Sequence, residues 1–259
     1  MLKTGTPRAL AALAIFAAWA AVTTLFPHLG GTLEAPQSIT ATVAHSIQTS
    51  FAAAIVLLLV CVAVLRWGDV GFALPRARSL RLLWFPALYV VGFFGLALAV
   101  GFPSPATMLV ILANTLLAGV SEELACRGVL YRGLRARLPL WPAMLASTFL
   151  FGAVHVFNGA TTGSYGLAAI QAVAAFMTGM TFMAIRVRTG SLYPGMILHG
   201  LWDFMLLLTV TGIVQRFGEP DTSLSGISAA ALALPLLLVV PNFIYGLYLL
   251  RHATRDEAG

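Results

Sequence analysis

Residues 82–121 read LLWFPALYVVGFFGLALAVGFPSPATMLVILANTLLAGVS, 40 consecutive positions without Asp, Glu, Lys or Arg. A helix needs about 20 apolar residues to cross the hydrocarbon core of a bilayer. This stretch is long enough for two helices, and Gly101-Phe-Pro-Ser-Pro105 supplies the break, because Gly and Pro interrupt helices. The same logic carries outward in both directions. Toward the N-terminus, runs free of those four residue types extend from Ala9 to Leu33 and from Ser46 to Leu65. Toward the C-terminus, only His155 can charge between Leu138 and Ile185, and Asn158-Gly-Ala-Thr-Thr-Gly-Ser164 divides that run. Thr189 to Gln215 forms a seventh helix and Thr222 to Leu250 an eighth.

Composition agrees with this count. The chain is 59% hydrophobic and only 9% charged, whereas a soluble domain carries about 25% charged residues. The formal net charge of +6 does not mark a nucleic-acid binder, because the basic residues sit between apolar runs instead of sharing one face. They mark topology. Lys3 and Arg8 precede the first span, and Arg66, Arg76, Arg78 and Arg81 follow the second. Arg127, Arg132, Arg135 and Arg137 follow the fourth, Arg186 and Arg188 the sixth, and Arg251 and Arg255 the eighth. Of the 15 basic residues only Arg216 falls on an alternate connection.

The expectation is an all-α, polytopic bundle of about eight transmembrane helices with both termini cytoplasmic, forming one membrane-embedded domain over 1–259. Its parts are N-terminal helices at 9–65, a core at about 82–212 and a C-terminal helix at 222–250. A basic start, an apolar run and Ala18-Trp-Ala20 also resemble a signal peptide, but the run is longer than a signal core, which favours a retained helix. Arg outnumbers Lys fourteen to one, the usage of a GC-rich genome, and points to a bacterial inner (plasma) membrane. Cys61 and Cys126 have neither disulfide nor metal spacing and read as packing residues.

Within the spans or at their margins the ionisable residues are Glu122, Glu123, Arg127, His155, His199 and Asp203, all from the fourth, fifth and seventh helices. A charge at bilayer depth costs about 2.5–3.5 kcal/mol even on lenient insertion scales. Six such residues therefore point to one polar site inside the bundle. Glu123 and Arg127 are four apart, as are Phe151 and His155, and His199 and Asp203, so each pair shares a helix face. Glu122 points about 100° away from Glu123 around the axis. Counted along their helices at 1.5 Å per residue, His155 lies about 20 Å deep from Pro142 and His199 about 12 Å from Ser191. A tilted or displaced fifth helix would be needed to bring them level.

Glu122-Glu123-Leu-Ala-Cys-Arg127, Phe151-Gly-Ala-Val-His155 and His199-Gly-Leu-Trp-Asp203 resemble, in order, the motif series of the CPBP proteins. These are the CAAX proteases and bacteriocin-processing enzymes, also called the Abi family. The resemblance covers about the third to the seventh helix. It implies an intramembrane endopeptidase in which Glu122, with His155, activates a water against the scissile carbonyl. His199 and Asp203 would lie where the oxyanion develops, and Glu123 with Arg127 would form a supporting ion pair. Asp203 departs from members with Asn at that place; an ionised Asp would repel an oxyanion, so it must be protonated or serve only to orient His199.

Charge balance leaves two chemistries open. Three carboxylates face one Arg, and a divalent metal such as zinc, held by Glu122, His155 and His199, would neutralise the excess. Protonated His or carboxyl groups would do so equally, and the expectation is glutamate chemistry without a tightly bound cofactor. The partners implied are the lipid bilayer and a membrane-associated peptide or protein, such as a leader peptide, a sorting-signal tail or an anchored regulator. Two other function classes fit buried Glu, His and Asp: a transporter with a proton or substrate site, and a non-catalytic bacteriocin-immunity or scaffold protein. For Glu122, Glu123 and Arg127 taken alone, a solvated helix end is an equal reading. Phe151 reads as packing, and Asn114, Asn158, Gln171 and Asn242 as helix–helix hydrogen bonding. His28, His45 and His252 lie at span ends. The clusters Arg76–Arg81 and Arg132–Arg137 read as topology determinants that also meet anionic lipid.

Overall fold

A computed structural model describes residues 5–25, 38–218, 229–251 and 253. Lys3, His28, His252, Arg255 and the beginning of the expected eighth helix lie outside the described residues. Every regular element described is helical: α1 (Gly5–Leu25), α2 (Ile39–His45), α3 (Thr49–Leu65), α4 (Trp84–Val100), α5 (Pro105–Glu123), α6 (Tyr131–Arg135), α7 (Leu140–Val154), α8 (Asn158–Thr162), α9 (Tyr165–Thr189), α10 (Tyr193–Phe217) and α11 (Ala229–Leu250). A 3₁₀ stretch, Ala77–Leu83, leads into α4, and another, His155–Phe157, joins α7 to α8. A π-helical stretch, Leu124–Leu130, joins α5 to α6. Among the described residues seven helical stretches are long and apolar enough to cross a membrane, and an eighth arises if α2 and α3 are counted together. The chain is an integral membrane protein.

The break between the third and fourth spans falls where Gly and Pro require it. Gly101 ends α4 at φ 103°, a conformation open to glycine, and Ser104 caps α5 by accepting from the Thr107 N–H at 3.2 Å, with Pro105 in the first turn. The later break is shorter than expected. Residues 158–162 are helical, and the chain turns only at Gly163 (φ 73°) and the N-cap Ser164.

The second span differs from its expectation. Helix α3 falls within the expected 46–65, but α2 precedes it and meets it at 82°. A bend exposes backbone groups, and in hydrocarbon each unpaired one costs several kcal/mol. Asn114 of α5, 1% exposed, supplies the partners: its Oδ1 accepts from the Gln48 N–H at 2.8 Å, and its Nδ2 donates to the carbonyls of Val43 and Ser46, both at 2.8 Å.

Close helix contact is built on small residues, as is usual in membranes. A Cβ on Gly119 of α5 would come within 2.8 Å of the Gly200 nitrogen and 2.9 Å of the Met196 carbonyl on α10. The pair α5 and α10 is thereby held backbone to backbone, one turn from Glu123 on one helix and beside His199 on the other. At one end of the bundle the basic connections converge. Asp69, between α3 and α4, binds Arg8 of α1 and accepts from Arg132 of α6 at 2.8 Å, while Arg186 of α9 donates to the Val70 carbonyl at 3.2 Å. Arg188 of α9 reaches the Leu249 carbonyl at the end of α11 at 2.8 Å. Arg216 instead joins the far ends of α10 and α4, donating to the Ala99 carbonyl at 3.0 Å. Hydrogen bonds from Arg8 and Arg132 outweigh the opposing burial and hold the Asp69 carboxyl below its ordinary range.

Candidate active site

Glu122 and Glu123 close the last turn of α5, where the helix widens into the π-helical stretch. Such widened turns recur at functional sites. All seven residues of the stretch are buried, Arg127 among them at 0% exposure and Glu123 beside it at 1%. A solvated helix end is therefore not what this pair is. Glu123 Oε1 lies 3.0 Å from Arg127 Nη1, a contact that is an ion pair more than an aligned hydrogen bond. Arg127 Nη2 donates to the Gly179 carbonyl of α9 at 3.0 Å, and its guanidinium lies 4.0 Å above the Phe151 ring.

From α10, His199 presents Nδ1 to Glu123 Oε1 at 3.0 Å and Nε2 to Glu122 Oε2 at 3.6 Å. Asp203, one turn on, faces the same Nε2 at 3.5 Å. The two adjacent glutamates thus have different surroundings. Glu123 is committed to Arg127 and to His199 Nδ1. Glu122 lies by the other ring nitrogen, with its side chain 15% exposed, and Asp203 is 35% exposed at the same place.

His155 lies within electrostatic reach of Glu122, together with His199, Asp203 and Arg127. Two local features set the position of His155. Ser147 Oγ donates to the Cys126 carbonyl at 2.7 Å in the core, which pins α7 against the π-helical stretch and sets Phe151 beside Arg127. The imidazole of His155 then folds back one turn, with Nδ1 2.8 Å from the Phe151 carbonyl and its ring 5.0 Å from the Phe151 ring. A helical side chain leans toward the N-terminus of its helix, so this direction is the ordinary one.

Six residues from three helices therefore converge in one cluster. A fourth helix joins them without an ionisable residue: α9 contributes the Gly179 carbonyl and Phe182, whose ring stacks on His199 at 4.6 Å and 18°. Neither carries a motif. Gly179 is small because a Cβ there would come within 2.8 Å of Arg127 Nη2 and 2.9 Å of Phe151 Cδ1. Phe151 packs, and its packing is against the site: it touches Arg127, His155 and His199. Among the described residues no three His, Cys, Asp or Glu side chains are grouped as metal ligands. Glu122 and His199 lie 3.6 Å apart, His199 Nδ1 faces Glu123, and His155 Nδ1 faces a backbone carbonyl.

No curated protein and no solved structure matches the chain. Residues 104–205 match the family model described as Rce1-like, the type II CAAX prenyl endopeptidase Rce1-like family. The match runs from the N-cap of α5 into α10 and contains all six clustered residues. Over these residues the chain is similar to the Rce1-like family, in line with the CPBP/CAAX protease resemblance of its three motifs.

Proposed function

We propose that the protein is an intramembrane endopeptidase that hydrolyses a peptide bond of a membrane-associated protein or peptide by means of a glutamate-activated water. The observation that carries this reading is the unequal treatment of the two glutamates. Glu123 holds Arg127 and His199 Nδ1 through Oε1 and is 1% exposed, while Glu122 faces the remaining histidine nitrogen in the partly open part of the site. A base must have a free lone pair beside the space where water and substrate meet, and Glu122 meets that requirement where Glu123 does not.

In the proposed reaction Glu122, assisted by His155, removes a proton from water as the oxygen attacks the scissile carbonyl carbon. Negative charge moves to the carbonyl oxygen, where His199 donates from Nε2. Asp203 takes part as a neutral acid or orients His199, since a second anion would oppose the developing charge. Collapse of the intermediate breaks the C–N bond, and Glu122 returns its proton to the leaving amine. Arg127 keeps Glu123 in place, and Glu123 keeps His199 in place. In this reading no resident metal takes part, both termini are cytoplasmic and the membrane is a bacterial plasma membrane.

Purified protein in detergent, presented with a library of membrane-proximal peptides, tests the reading. Glu122→Ala and His155→Ala are expected to lower cleavage by about 10²–10⁴, and a chelator is expected to leave the wild-type rate unchanged. Cleavage that survives both substitutions refutes the assignment, and loss on chelation refutes the metal-free chemistry.

A further inference from the structure

Away from the polar cluster, a groove of about 720 Å³ runs between α4 and α11, lined by Arg81, Trp84, Phe85, Ile244, Tyr245 and Tyr248 among others. It is an open groove on the outer face of the bundle and not an enclosed cavity. Its walls are aromatic and interlocked: Phe85 packs on Tyr245 at 4.9 Å, Trp84 meets Tyr245 edge-on at 6.1 Å, and Tyr245 stacks with Tyr248 at 6.4 Å. Tyr245 Oη donates to the Leu82 carbonyl at 2.9 Å, so α11 is tied to the 3₁₀ stretch that opens α4. The groove is therefore built rather than incidental, yet Trp84, Ile244 and Tyr248 remain 58%, 58% and 55% exposed.

The charge of the groove selects its occupant. Among the described residues Arg81 is the one charged lining residue, and no carboxylate shares the wall. Arg251 lies against the Tyr248 ring at 3.4 Å and Arg188 reaches the Leu249 carbonyl, so further cations stand at the same rim. The rim belongs to the basic end of the bundle, and Trp and Tyr are the residues that settle at headgroup level. We propose that this groove binds one anionic phospholipid of the adjoining leaflet, its phosphate beside Arg81 and an acyl chain along Phe85 and Ile244. A cation near an anionic lipid surface strengthens binding about fivefold. A zwitterionic lipid carries no net charge for Arg81 to attract, and it would fill the apolar wall alone.

The full chain is reconstituted in phosphatidylcholine bilayers containing brominated phosphatidylglycerol, or brominated phosphatidylcholine as control. The part of the tryptophan quenching that Trp84→Phe removes is read as occupancy of the groove. Phosphatidylglycerol is expected to be preferred at that position several-fold. Arg81→Gln is expected to reduce the preference about fivefold, while Arg78→Gln, in the same connection but outside the groove, leaves it unchanged. Equal quenching by the two lipids would mean ordinary boundary lipid and would overturn the proposal. So would an equal loss in Arg78→Gln, which would mean diffuse surface charge. Absence of quenching at Trp84 by either lipid would also overturn it, because a second copy of the chain would then cover the groove.

Discussion

Replacing Arg127 by Met, similar in length but uncharged, separates what the buried ion pair does for the fold from what it does for the site. The substitution leaves the Glu123 carboxylate 1% exposed and without its Arg cation at 3.0 Å, with His199 Nδ1 at 3.0 Å as the partner that stays. Breaking a buried pair from one side costs about 3–5 kcal/mol, because the remaining charge is stranded. The Gly179 carbonyl also loses its donor at 3.0 Å, an orphan worth about 1–3 kcal/mol. The contact with Phe151 at 4.0 Å adds about 1 kcal/mol. These losses share one side chain and do not sum, so the stranded charge sets the expected scale, about 3–5 kcal/mol. In the double variant Glu123→Gln, Arg127→Met the stranded charge is gone, and the deficit is expected to shrink to about 1–3 kcal/mol, the cost of the Gly179 carbonyl. Unfolding free energies from dodecyl sulfate titration of mixed micelles, followed by tryptophan fluorescence, give both values. A single-variant loss below about 1 kcal/mol, or a double variant no more stable than the single, would refute the account of a sequestered pair.

Two further outcomes follow from the packing. Asn114→Ala removes three hydrogen bonds that close the bend between α2 and α3. At about 1–3 kcal/mol for each group left unpaired, amide exchange across residues 43–48 is expected to rise by at least about 100-fold, and unchanged exchange would show that other groups hold the bend. Asp69, whose folded carboxyl lies below its ordinary range, contributes stability that is complete above about pH 4 and fades as the pH falls through its lowered folded value. Unfolding of Asp69→Asn between pH 3 and 6, as a range about that ordinary value, is expected to lack this acid dependence; a slope equal to wild type would place the acid-sensitive group elsewhere.

Much of the architecture is legible in the chain because its causes are local. Gly101, Ser104 and Pro105 interrupt a helix wherever they stand, so the third and fourth spans separate where the residues say. The basic residues mark alternate connections, and the structure gathers Arg8, Arg132, Arg186 and Arg188 at one end and sets Arg216 at the other. The four-residue spacing of Glu123 and Arg127 puts them on one helix face, and the π-helical stretch keeps them within 3.0 Å. The 82° bend ahead of α3 is not legible, because residues 46–50 contain no Gly or Pro and the stabilising partner, Asn114, comes from another helix.

Membrane burial, the helical class and the identity of the six polar residues were determined by the sequence itself, since hydrophobic runs, charge placement and periodicity act over one or two turns. The tertiary structure decided the rest. Two adjacent glutamates are chemically identical in the chain, and only the approach of α10 across Gly119 gives one of them His199 Nδ1 and leaves the other by Nε2. Helix α9 offers no ionisable side chain in its interior, so nothing local marks it, yet its backbone carbonyl at Gly179 and the ring of Phe182 complete the surroundings of Arg127 and His199. Which groups share a site depends on contacts between residues far apart in the chain, and those exist only once the helices pack.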